Sequence, residues 1–212
     1  MLRIPTRNRI ALAAAAIATL GMAAVPMTAQ AAEFVAPTGS CTSTVTGTLA
    51  GAQTVPTGQK LCLRGATVDG AITVESGASL SARGSTVNGA ITLNGADSFK
   101  FCGSATVGGA ISVASGVGTV VIGDNDECRG NMVDGAITVA GYTGNVTVAR
   151  TTTSGALVIK SNAALSGKAP KIAANDIGGD LTCRANTPAP TNTGLPNTVH
   201  GARHGQCESM SF

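Results

Sequence analysis

An all-β solenoid of stacked parallel coils is the fold this chain predicts, and three observations carry it: a recurring phrase, its alternation and its glycine content. The phrase is Val68-Asp69-Gly70-Ala71-Ile72-Thr73-Val74, which returns as Val87-Asn88-Gly89-Ala90-Ile91-Thr92-Leu93, Val107-Gly108-Gly109-Ala110-Ile111-Ser112-Val113 and Val133-Asp134-Gly135-Ala136-Ile137-Thr138-Val139. Such a return marks stacked units, each of which needs its neighbours to bury its apolar face. Within the phrase Val68, Gly70, Ile72 and Val74 alternate with Asp69, Ala71, Thr73 and Glu75, the period of a strand. The 28 glycines and the many β-branched residues oppose a helical reading.

Residues 1–31 read as a secretory signal peptide. Arg3, Arg7 and Arg9 precede an apolar stretch from Ile10 to Val25, and Ala29-Gln30-Ala31 has the small-x-small form of a cleavage site. The apolar run is short for a bilayer span, and the later sequence contains none longer, so no transmembrane segment is expected in the mature chain. Removal of the three arginines lowers Lys+Arg from 14 to 11 against 11 Asp+Glu, and the formal net charge falls from +3 to zero. A neutral chain with scattered charges offers no electrostatic footprint for nucleic acid. The expected location is extracellular.

Weaker copies of the phrase begin at Val45-Thr46-Gly47 and continue through Ser154-Gly155-Ala156, Gly178-Gly179-Asp180 and His200-Gly201. Successive repeat glycines are separated by 23, 19, 20, 26, 20, 24 and 22 residues, steps that imply strands joined by loops of variable length. Segments such as Ser98-Phe99-Lys100-Phe101 and Gly144-Asn145-Val146-Thr147-Val148 supply a second strand per coil. About eight coils at about 4.8 Å each make a single-domain rod of roughly 40 Å. Its open ends need caps. The expected organisation is an N-terminal cap over 32–44, solenoid repeats over 45–183 and a C-terminal capping segment over 184–212.

The even count of six cysteines in an exported chain reads as disulfides. Cys102 and Cys128 each precede the Gly of their own phrase by seven residues, which stacks them at one corner of neighbouring coils. That register predicts sequential pairing of Cys41 with Cys62, Cys102 with Cys128 and Cys183 with Cys207. A thiolate zinc site is the competing reading, and the chain has no Cys-x-x-Cys pair to support it.

The Val-x-Gly-Ala-Ile-Thr-Val phrase at these steps resembles the secreted right-handed parallel β-helix proteins, a superfold shared by pectate-lyase-like enzymes, adhesins and passenger domains. The likeness covers residues 41 to 205. The tail from Cys183-Arg184-Ala185-Asn186 to Gly205-Gln206-Cys207 is similar to the ending of small exported bacterial β-solenoid proteins of unassigned function. What the superfold implies is an extended surface, with function in side chains grafted onto it.

Candidate chemistry is sparse. The residues before the repeat glycines form a ladder, Thr46, Asp69, Asn88, Gly108, Asp134, Ser154, Gly178 and His200, whose aspartates stand too far apart for paired-carboxylate catalysis. Asp124, Asp126 and Glu127, in the longest insertion, are candidate Ca²⁺ ligands, although the spacing of an EF-hand loop is absent. Otherwise no cofactor is expected. His200 and His204 flank Arg203 in the tail and read as surface residues. Thr73, Thr92, Ser112 and Thr138 form an outward column beside Ala71, Ala90, Ala110, Ala136 and Ala156, and this Ala/Thr face is the candidate binding surface. With no Trp and a single Tyr, sugar stacking is disfavoured.

The function these residues favour is an exported, non-enzymatic structural, adhesive or binding module. The alternatives are a polysaccharide-active β-helix lyase or hydrolase using the Asp124–Glu127 loop with Arg129, and an ice- or crystal-binding Ala/Thr face. Expected partners are a cell-wall polymer, a polysaccharide or another protein.

Overall fold

The computed structural model describes residues 41–209, 211 and 212. The expected signal peptide and residues 32–40 of the expected cap lie outside the described residues. Seven coils give one short strand to each of three parallel sheets, and the last gives one to two of them. The first sheet runs through Ser43–Val45, Lys60–Arg64, Ser79–Arg83, Ser98–Cys102, Thr119–Ile122, Asn145–Ala149 and Lys171–Ala173. The second has eight strands from Thr48–Leu49 to Thr198–Val199, and the third eight from Gln53–Val55 to Arg203–Gly205. Strand order follows chain order in all three, giving a parallel β-solenoid of about eight turns. Among the described residues the one helical element is a 3₁₀ turn at Asp126–Cys128.

The recurring phrase is not one strand. Thr67–Val68 belongs to the second sheet, Ile72–Val74 to the third, and Asp69, Gly70 and Ala71 form the corner between them. The corner glycine is required by stacking. A Cβ on Gly109 would stand 2.8 Å from the Ala90 nitrogen and 2.9 Å from its Cα, and Gly135 and Gly155 meet the corners beneath them in the same way. The Gly135 N–H donates to the Gly109 carbonyl at 3.0 Å, so the corner is also a rung of the intercoil ladder. Val68, Ile72 and Val74 nevertheless share the core, all fully buried. The three-residue corner preserves the parity of the alternation, which is why the phrase reads as a continuous strand.

The interior is a column of Val, Ile and Leu, and Tyr142, Phe99 and Phe101 are its largest fully buried side chains. Removal of this apolar surface from water, at about 25 cal/mol per Å², drives the stacking. The Tyr142 hydroxyl donates to the Asp97 carbonyl at 3.0 Å. Burial, with the Asp97 charge adding to it, pushes the phenol up from 10.0 to about 12 against the opposing backbone hydrogen bond at Gly118. The folded protein therefore retains a proton that the unfolded chain releases near pH 10. This contribution is complete below pH 10 and is lost as pH rises toward 12, a loss of about 2–3 kcal/mol. Urea unfolding between pH 9 and 12 should show that decline, and Tyr142→Phe should flatten it. An equally steep decline in the variant would assign it to other groups.

The two ends differ. At the first coil Val45, Leu49, Val55 and Leu61 line a hollow of about 260 Å³. At the last, Phe212 is 8% exposed against the core, and its carbonyl accepts from the Asn197 N–H at 2.8 Å. Strand pairing exceeds the expected repeat limits at both ends: Ser43–Val45 pairs with Lys60–Arg64, and Thr198–Val199 and Arg203–Gly205 continue two sheets into the expected capping tail.

Candidate functional site

The outward column anticipated from the phrase is present and in register. Thr54, Thr73, Thr92, Ser112 and Thr138 stand side by side on the third sheet, followed by Val158, Thr182 and His204. Thr73 and Thr92 are exposed, and Ser112 and Thr138 are half-buried. The alanine column is displaced from this face. Ala71, Ala90, Ala110, Ala136 and Ala156 occupy the corner, half-buried, with Ala90 accepting the Ile72 N–H and Ala110 the Ile91 N–H at 2.9 Å. The neighbours of the threonine column across the strand are instead Asn94, Ala114, Ala140, Lys160 and Arg184. The face is thus one hydroxyl column wide and becomes basic toward the C-terminal end.

Two carboxylates of the acidic insertion are held by cations. Asp124 pairs with Lys171 at 3.0 Å, and Asp126 pairs with Arg150 and, at 3.7 Å, with Arg129. Glu127 is exposed and joins none of these three pairs. Among the described residues no three His, Cys, Asp or Glu side chains come together as a metal-ligand group. The reason is local: insertion of a loop at the corner after Thr119–Ile122 sets its carboxylates against cations of the following coils. The loop acts as a clasp between coils, and Arg129 belongs to it.

His200 and His204 are likewise held singly, His200 Nε2 at 2.9 Å from Asp176 Oδ1 and His204 Nε2 at 3.5 Å from Asp180 Oδ2. Along the ladder before the repeat glycines, the Asn88 amide donates to Asp69 at 3.2 Å. Asp134 has no carboxylate beside it, because Gly108 and Ser154 occupy the adjoining coils.

Three cysteine pairs stand at disulfide distance: Cys41 with Cys62, Cys102 with Cys128 and Cys183 with Cys207, with Cα separations of 5.9, 4.4 and 5.3 Å. Each ties one coil to the next. The first two bracket the outer face of the first sheet, and the third closes the core beneath the last coil.

Two rows of buried asparagines are a feature that sequence reasoning missed. At the corner after the first sheet, Asn175 accepts the Thr151 N–H at 3.2 Å and donates to the Val148 carbonyl at 2.8 Å and to Asn197 at 2.9 Å. At the corner after the third, Asn162 and Asn186 repeat the pattern, and Gln206 ends it. These amides satisfy backbone groups that the bending chain withdraws from the sheets. The available signal was spacing: Asn162 to Asn186 is 24 residues and Asn175 to Asn197 is 22, both one coil step.

Charge is also redistributed by folding. Lys60, Arg64, Arg83 and Lys100, scattered in the sequence, all lie on the first sheet. No protein family, curated protein or solved structure matches the chain.

Proposed function

We propose that this chain is an exported, non-enzymatic β-solenoid that serves as a structural, adhesive or binding module at the cell surface or in the extracellular space. The observation carrying this reading is the in-register outward column Thr54, Thr73, Thr92, Ser112 and Thr138, which offers a hydroxyl on each of five successive coils. A backbone paired coil to coil and three cystine staples hold that column rigid, so little conformational entropy is lost when a repeating ligand docks. Export is supported by the basic, apolar and small-residue order of residues 1–31 and by the absence of an unpaired cysteine among the described residues.

A binding and turnover screen tests the reading. The oxidised protein lacking residues 1–31 is incubated with insoluble cell-wall polymers and soluble acidic polysaccharides, with and without Ca²⁺. Co-sedimentation or gel retardation without product release is the expected result. Release of reducing or unsaturated sugars would overturn it in favour of an enzyme.

A further inference from the structure

The first sheet carries a basic hollow. Lys60, Arg64, Arg83 and Lys100 line a depression of about 220 Å³ whose other walls are Cys41, Cys62, Leu63, Ser81 and Cys102. Among the described residues no carboxylate lines it. Arg64 and Arg83 are exposed and occupy facing positions of adjacent strands, so two like charges stand one coil apart. Arg64, Arg83 and Lys100 make no side-chain hydrogen bond or ion pair among the described residues. Like charges directly opposite one another in a sheet are destabilising. The chain keeps this repulsion in a region that two disulfides, Cys41 to Cys62 and Cys102 to Cys128, hold rigid.

From these features we infer that the hollow binds the sulfate esters of an anionic polysaccharide. Two guanidinium forks and the Lys100 ammonium converge from three strands, which suits the three free oxygens that a sulfate ester spreads around one centre better than the two coplanar oxygens of a carboxylate. A polymer suits the site better than a single ion, because a second hollow of about 170 Å³ continues along the sheet, sharing Lys60, Ser81 and Lys100 and adding the hydroxyls of Ser98 and Thr119. Nucleic-acid bases would have no ring to stack on here, since Phe99 and Phe101 point into the core at 1% and 0% exposure. The inference rests on the binding-module reading and supplies its ligand class and its face.

Affinity electrophoresis of the oxidised protein through gels containing dextran sulfate tests it, with polygalacturonate gels alongside. The variant R64Q/R83Q/K100Q removes three charges from the hollow; R129Q/R150Q/K168Q removes three charges that lie outside both the hollow and the threonine face. Loss of three exposed ion pairs predicts roughly ten-fold weaker retention for the first variant and a change within about two-fold for the second. Dextran sulfate should also raise the melting temperature of the unsubstituted protein and leave that of the first variant unmoved, a readout that excludes misfolding as the cause. Equal loss in both variants would overturn the site, and equal retention by polygalacturonate would overturn the sulfate assignment. Retention on insoluble wall polymers with no retardation by dextran sulfate would overturn this inference and leave the binding-module reading standing.

Discussion

Alanine at Gly109 is expected to destabilise the solenoid by roughly 3 kcal/mol, the upper range for forcing an extra methyl into a close-packed interior. The new Cβ would meet the Ala90 nitrogen at 2.8 Å, the Ala90 Cα at 2.9 Å and the Gly89 carbonyl carbon at 3.0 Å. All three are backbone atoms, so no rotamer change relieves the contact. Relief requires the coils to separate at that corner, which lengthens the rungs that run from the Ile91 N–H to the Ala110 carbonyl at 2.9 Å and from the Gly108 N–H to the Val87 carbonyl at 2.8 Å. Coils pair through their backbones only with their neighbours, so the damage divides the rod and should broaden the transition as well as shift it. Gly47 provides the internal comparison. It occupies the same place in the phrase, but a Cβ there meets nothing within 4 Å, because the described chain has no coil beneath it. Gly47→Ala should be neutral or stabilising by about 0.5 kcal/mol through the unfolded chain alone. Chemical unfolding of both variants under oxidising conditions decides the matter, and equal midpoints would mean that the corner glycine answers to something other than stacking.

That contrast shows what the sequence could and could not reveal. The recurrence of the phrase identified the coil, and its alternation identified the buried side, because Val68, Ile72 and Val74 do face the core. The corner at Asp69, Gly70 and Ala71 was hidden because a turn of three residues returns the chain to the parity it left. The alanine column was misplaced for the same reason. Cysteine pairing was legible because it depends only on adjacent coils and on the register that the glycines set. The acidic insertion was legible in the sequence but its ion-pair partners were not, because Arg150 and Lys171 lie in later coils. The basic hollow was invisible because Arg64, Arg83 and Lys100 belong to three separate strands, and only parallel register brings them together. Sites of this kind arise across coils. A linear reading detects what each coil repeats and misses what a single coil contributes once.

Asn175→Ala should cost about 3 kcal/mol, although turn segments rich in Asn, Ser and Gly ordinarily read as tolerant surface. Asn175 is 3% exposed, and its amide is the middle of a chain of bonds. Truncation leaves the Thr151 N–H and the Val148 carbonyl without their partner, and it removes the donor that Asn197 accepts at 2.9 Å. Asn197 in turn donates to the Phe212 carbonyl at 2.7 Å, so the loss extends to the C-terminal closure of the core. A buried polar group left unpaired costs about 1–3 kcal/mol, which makes the orphaned backbone the larger part of the effect and the small cavity the lesser. Asn175→Asp separates the two contributions. It conserves volume and can still accept from Thr151, but it replaces the donating nitrogen with an oxygen facing the Val148 carbonyl and the Asn197 oxygen. If hydrogen bonding governs, the aspartate variant should be at least as unstable as the alanine variant at pH 7. Exposed Asn88, whose side chain bonds only Asp69 among the described residues, should tolerate alanine within about 0.5 kcal/mol. A stable Asn175→Asp protein would show that the row fills space at the corner and does not hold the turning backbone through its amides.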